Sequence, residues 1–126
     1  MKFYLDSSVI VDFITEEPEA RAIISHLDGQ LFTSKLGRAE TFRTLQKSAP
    51  DFIDKAYSFF ETIICVNVSD EILGLVETFG AEITLKTSDA IHIATASIFL
   101  DEKDALVTLD KQMTVNAQRL GINLFS

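Results

Sequence analysis

Four short apolar runs, each rich in β-forming residues and set between helical patterns, constrain this chain more than anything else in it. They are KFYLD (Lys2–Asp6), QLFTS (Gln30–Ser34), TIICVNV (Thr62–Val68) and ALVTLD (Ala105–Asp110). Strands that alternate with helices imply a parallel sheet covered on both faces, an α/β fold with a central sheet of four to five strands. INLF (Ile122–Phe125) reads as the fifth.

The segments between the strands have helical spacing and recognisable stops. Ser8–Ile14 has Ser7 or Ser8 as its cap and Pro18 beyond its end. Glu19–Leu27 leads to a turn at Asp28-Gly29. Lys35–Ala49 is ended by Pro50, and Asp51–Phe60 turns Phe52, Ala56, Phe59 and Phe60 inward. Ser69 caps a helix that runs to Phe79 and stops at Gly80. LKTSDAIHIATA (Leu85–Ala96) is apolar nearly all round, so its helix, capped by Thr87 or Ser88, is expected to be buried. Lys111–Leu120 is the last helix, with Gly121 as its C-terminal stop.

Length and composition bound the rest. A chain of 126 residues, 47% hydrophobic, fits one domain (1–126) with one core. The single Cys65 allows no internal disulfide and suits a reducing cytoplasm, where it reads as a core residue. Asp6 and Asp12 interrupt the only apolar run near the N-terminus, and no stretch is long enough to span a bilayer. A cytoplasmic protein with no membrane partner is therefore expected. The formal charge of −8 argues against a nucleic-acid partner, unless a bound cation neutralises some of the acids.

Where the acids fall bears on that exception. YLD and TLD share one design, an apolar strand with an Asp at its carboxyl end. If the first and fourth strands are neighbours, Asp6 and Asp110 meet where parallel sheets bind ligands. Asp89, at the start of the buried helix, enters from the same edge. Glu40, in GRAETF, shares a helix face with Leu36, Arg43 and Lys47, while Arg38 points nearly the opposite way. Each acid has a structural explanation on its own: Asp6 and Asp110 as helix caps, Asp89 as a first-turn acid, Glu40 as a surface partner of Arg43 or Lys47. Those explanations do not account for four acids at one edge. Two carboxylates about 5 Å apart repel by roughly 3 kcal/mol at an effective dielectric of about 20. A hard dication with oxygen ligands, Mg2+ or Mn2+, relieves such a cluster.

YLDSSVIVDF, RAE, SDAIHIATA and VTLD, in that order and spacing, resemble the PIN-domain ribonucleases, and most of all their small VapC-type toxins. The resemblance covers the whole chain. It implies a three-layer α/β/α sandwich, Mg2+-dependent RNA cleavage, a homodimer, and a cognate antitoxin that blocks the site. It places the acidic quartet on Asp6, Glu40, Asp89 and Asp110, the hydroxyl after the first Asp on Ser7, and the Thr before the last Asp on Thr108. Two features depart from the family pattern. Gln112 stands where many relatives carry a further acid, which weakens a second metal position, and the acidic chain has few residues to grip RNA.

The chemistry expected is metal-assisted phosphodiester hydrolysis. Asp6 and Asp89 anchor the metal, Asp110 and Glu40 complete its shell, and Ser7 and Thr108 orient carboxylates or waters. Arg43, Lys47 and Lys86 are the candidates for phosphate contact. His92, three residues after Asp89, is expected to be packed or to support a ligand rather than to bind metal. Three rival readings fit less well. An inactive binding module on the same fold is disfavoured by the full set of acids. A phosphoacceptor receiver lacks its acid pair and its Lys, and a haloacid-type phosphatase lacks its Asp-x-Asp, because Ser8 fills the second place.

Overall fold

The computed structural model describes residues 1–125. Strands β1 (Lys2–Leu5), β2 (Gln30–Ser34), β3 (Ile64–Val66) and β4 (Ala105–Val107) form one sheet in the order β3-β2-β1-β4, with every pairing parallel. Helices α1 (Ser7–Ile14), α2 (Pro18–Ser25), α3 (Lys35–Ser48) and α4 (Ile53–Phe60) supply the connections from β1 to β3. Helices α5 (Asp70–Glu77) and α6 (Thr87–Phe99) lead to β4, and α7 (Lys111–Arg119) follows it.

The alternation of side chains along each strand sorts the core into two layers. Phe3, Leu5, Ala105 and Val107 face one side, packed with Val9, Ile10 and Ile14 of α1, Leu45 of α3, and Ala56 and Phe60 of α4. Tyr4, Phe32 and Leu106 face the other, against Ile93 and Ala96 of α6 and Met113 and Ala117 of α7. The result is the expected α/β/α sandwich. The chain leaves β1 toward β2 and β3, then comes back past β1 to add β4 on the far side. The preference for right-handed crossovers puts the helices of these two excursions on opposite faces. Strand order therefore reverses between β1 and β4, and the crevice at their carboxyl ends is where such sheets bind ligands.

Local differences from the sequence reading have local causes. INLF does not extend the sheet as a strand. It makes one isolated parallel bridge, Leu106 with Leu124, held by Leu106 N–H to Asn123 and Phe125 N–H to Leu106. Pro50 does end α3, but a 3-10 turn (Pro50–Phe52) comes before α4. Lys86, rather than Thr87 or Ser88, is the cap residue of α6, and it provides no side-chain capping bond. Thr87, Ser88 and Asp89 thus form the first turn. Ser69 caps α5 as expected, accepting from Ile72 N–H. Cys65 is half-buried against the α1–α4 layer rather than enclosed.

Two helices end in the same motif with different residues in its critical place. At the end of α7, Gly121 has φ 71°, its N–H bonds to Gln118, and the next N–H, of Ile122, reaches back to Ala117. At the end of α1, Glu16 has φ 67°, with N–H bonds from Glu16 to Phe13 and from Glu17 to Asp12. Both are Schellman closures, which favour Gly at the left-handed position. Glu16 occupies it under tether, its carboxylate 2.7 Å from Lys55 Nζ. Among the described residues no helix is long and apolar enough to cross a membrane.

Candidate active site

Asp6 is the residue next after β1, and Leu5 pairs in register with Val107, so Asp6 stands opposite Thr108. Its N–H continues the ladder to Val107 at 3.3 Å. Its side chain is buried and held by three donors. Ser8 Oγ donates to Oδ1 at 2.6 Å, Val9 N–H donates to the same oxygen at 3.2 Å, and the Thr108 hydroxyl donates to Oδ2. Burial pushes the carboxyl above its ordinary range, while the bonds from Ser8, Thr108 and Val9 restrain that rise. Asp6 is also the N-cap of α1, so its structural and chemical roles coexist.

The same Thr108 hydroxyl accepts the N–H of Asp110 at 3.0 Å, which couples the first and last acids through one oxygen. Asp110 caps α7 by accepting from Met113 N–H at 2.9 Å and is otherwise exposed. The hydroxyl that orients Asp6 from its own side of the site belongs to Ser8, not Ser7. Ser8 also accepts Leu109 N–H at 3.3 Å and so joins the two strand ends. Ser7 makes no bond to Asp6; with Ser8, Asp12, Thr44 and Asp110 it lines a shallow hollow of about 350 Å3 at the edge of the site. Sequence reasoning misses Ser8 because a hydroxyl two residues past a capping Asp folds back onto it; the Asp-x-Ser spacing is the available signal.

Asp89, half-buried in the first turn of α6, feels the whole group. Burial raises its carboxyl above the ordinary range. His92 opposes the rise, and the charges of Asp110, Glu40 and Asp6 add to it. No hydrogen bond contributes, unlike at Asp6. The four acids are therefore electrostatic neighbours.

Glu40 does not pair with Arg43 or Lys47. Its Oε1 bonds the Nε2 of buried His92, whose Nδ1 lies 2.7 Å from Tyr4 Oη. Burial raises the Tyr4 hydroxyl well above its usual pKa, so it stays protonated. Arg43 and Lys47 are exposed on α3, one and two turns beyond Glu40, and Lys86 is exposed where α6 begins. Arg38 packs instead over Phe42, Tyr57 and Phe60, away from the acids. Gln112, in the place of a further acid, lies 3.4 Å from the Thr84 hydroxyl through its Oε1.

Four oxygen-donor side chains that repel one another suit a hard dication in chemical kind. Among the described residues, no three acid, His or Cys side chains already stand about one point as metal ligands. Asp6 and Glu40 are fixed by protein donors, whereas the Asp89 side chain makes no hydrogen bond among the described residues.

A family model described as PIN domain matches residues 3–117. Ribonuclease VapC47 of Mycobacterium tuberculosis (strain CDC 1551 / Oshkosh) is 29% identical over 125 residues, covering 94% of this chain and 91% of that protein. Ribonuclease VapC46 of M. tuberculosis H37Rv is 31% identical over 121 residues, covering 94% and 92%. The fold is shared with a toxin-antitoxin complex from Klebsiella pneumoniae, at a TM-score of 0.71 and 21% identity over 85% of each chain. The chain belongs to the PIN domain family, in its VapC-type branch.

Proposed function

We propose that this chain is a divalent-metal-dependent endoribonuclease and the toxin of a toxin–antitoxin pair. The observation that carries the reading is the Asp6–Thr108–Asp110 linkage at the point where strand order reverses, with Asp89 electrostatically coupled to both acids and to Glu40. An inactive binding module would not need a buried carboxylate that keeps three donors and costs stability through burial.

Asp6, Asp89, Asp110 and Glu40 would hold Mg2+ or Mn2+, which when bound stabilises phosphate charge and lowers the pKa of a water. The remaining work falls to the chain itself. Ser8 and Thr108 favour the ionised form of Asp6 against the effect of burial and aim its carboxylate. Ser7 lines the same hollow as Ser8 and Asp110. Arg43, Lys47 and Lys86 meet the RNA backbone. They are few, so neutralisation of the acids matters more to RNA binding here than in a basic nuclease. The partners we propose are RNA, a cognate antitoxin that covers the acidic edge, and a second copy of the chain, all within a single-domain cytoplasmic protein.

The test is digestion of RNA by the purified chain with Mn2+ and with EDTA. Cleavage is expected only with the metal. Asp6→Asn and Asp89→Asn are each expected to cut the rate by orders of magnitude with the far-UV circular dichroism unchanged. Undiminished cleavage in EDTA, or near-native rates in both variants, would reject the metal site.

A further inference from the structure

His92 is 1% exposed and belongs to α6, one turn beyond Asp89. Its two ring nitrogens join elements that are distant in sequence. Nε2 bonds Glu40 Oε1 on α3, and Nδ1 lies 2.7 Å from Tyr4 Oη on β1. Tyr4 Oη is in turn 3.1 Å from Ser34 Oγ, which accepts the Gly37 N–H at 3.0 Å and so caps α3. The path closes on itself, since it starts at the cap of α3 and ends at Glu40 on the same helix. It crosses β1, which leads into Asp6, and α6, which carries Asp89.

The proton assignments follow from what each group can do. A carboxylate only accepts, so the proton between Glu40 and the ring sits on Nε2. Nδ1 meets the Tyr4 hydroxyl at 2.7 Å on the opposite edge of the ring. The Tyr4 hydroxyl donates to Ser34 Oγ, which also accepts from Gly37. Position 37 also leaves room for the ring: a Cβ on Gly37 would run into the Thr33 hydroxyl and come within 3.2 Å of His92 Cε1.

We propose that His92, fixed by Tyr4 and Ser34, is a positioning residue for Glu40. It holds one carboxylate oxygen and thereby sets where the α3 acid stands relative to Asp6 and Asp89. This rests on the metal site proposed above. A partly exposed Glu has several free rotors, and a carboxylate already held in place gives up less entropy when it takes a cation. Loss of such a supporting partner weakens metal binding about 10–100-fold in other proteins.

Two measurements on the intact chain test it, neither dependent on cleavage. The first is calorimetric titration with Mn2+ alone. His92→Leu is expected to weaken Mn2+ about 10–100-fold. The same change in a Glu40→Ala background is expected to add nothing, because His92 acts through Glu40. His92→Gln keeps an N–H where Nε2 stood and is expected to recover most of the affinity; Tyr4→Phe is expected to lose part of it. Equal weakening in both backgrounds, or a lowered Tm with unchanged Mn2+ affinity, would reduce His92 to a packing residue. The second is the imidazole 1H–15N spectrum without metal. A ring protonated on Nε2, with that proton lost from its low-field position in Glu40→Ala, supports the relay; a ring protonated only on Nδ1 overturns it. A wild type that takes no Mn2+ would sink the metal site, while the spectrum would still decide whether His92 holds Glu40.

Discussion

Asp6 carries the conflict of the site in one side chain. As the cap of α1 it accepts Val9 N–H; as an acid at the strand end it is buried and raised above its ordinary pKa. Ser8 and Thr108 favour its ionised form. Ser8→Ala is therefore expected to move the acid limb of the pH–rate profile upward, and Ser7→Ala to leave it in place. A shift in the Ser7 variant alone would return the orienting role to the residue next to Asp6. Asp89 sets a second expectation at this scale. In the folded chain its carboxyl lies above the ordinary Asp range, as does that of Asp6. Between the unfolded value, about pH 4, and those raised values the folded chain binds more protons than the unfolded one. The contribution of these acids to stability therefore falls as pH rises through that window. Without metal, the margin in Tm of Asp89→Asn over wild type is expected to be widest near pH 7 and to close toward about pH 4. A margin independent of pH would mean that the Asp89 charge is not the cause.

At the scale of elements, the Schellman closures of α1 and α7 form a natural control pair. The backbone is left-handed at both Glu16 and Gly121, but only Gly adopts it without a Cβ conflict. Glu16→Gly is expected to raise the urea midpoint, and Gly121→Ala to lower stability by about 1 kcal/mol. If Glu16→Gly instead lowers the midpoint, the Lys55 tether outweighs the backbone strain. The elements also mark where the sequence could be read and where it could not. Strand–helix alternation, with Asp at two strand ends, is local information, and it yields the sheet and the placement of Asp6 and Asp110. The partner of Glu40 is not local. Spacing along α3 offers Arg43 and Lys47, but the bond goes to His92 on α6, which only the packing of α3 on α6 brings near. Burial decides the competition, because an exposed pair on a helix face is worth about 0.3–0.5 kcal/mol, less than a bond to a buried ring. INLF has a strand's composition, yet beyond β4 it finds pairing for only one bridge.

Across the whole molecule, a net charge of −8 has to be reconciled with a polyanionic substrate. On the proposed reading a bound cation would become part of the binding surface, and the phosphate grip would be left to a few exposed side chains. Arg43→Ala combined with Lys47→Ala is expected to weaken RNA binding and to flatten its dependence on the logarithm of salt concentration, by about 0.7 for each phosphate no longer neutralised. An unchanged slope would route the RNA elsewhere. The central claim, that four carboxylates form one metal site, is tested most directly by four melting curves: wild type and Asp89→Asn, each with EDTA and with Mn2+. In EDTA the variant is relieved of repulsion and is expected to melt at or above wild type. With Mn2+ at ten times Kd, wild type gains about 1.4 kcal/mol and the variant much less, so the order reverses. A variant that melts lower by the same margin in both conditions, by a few tenths to about 1 kcal/mol, would contradict the claim and leave Asp89 as a first-turn acid that supports its helix.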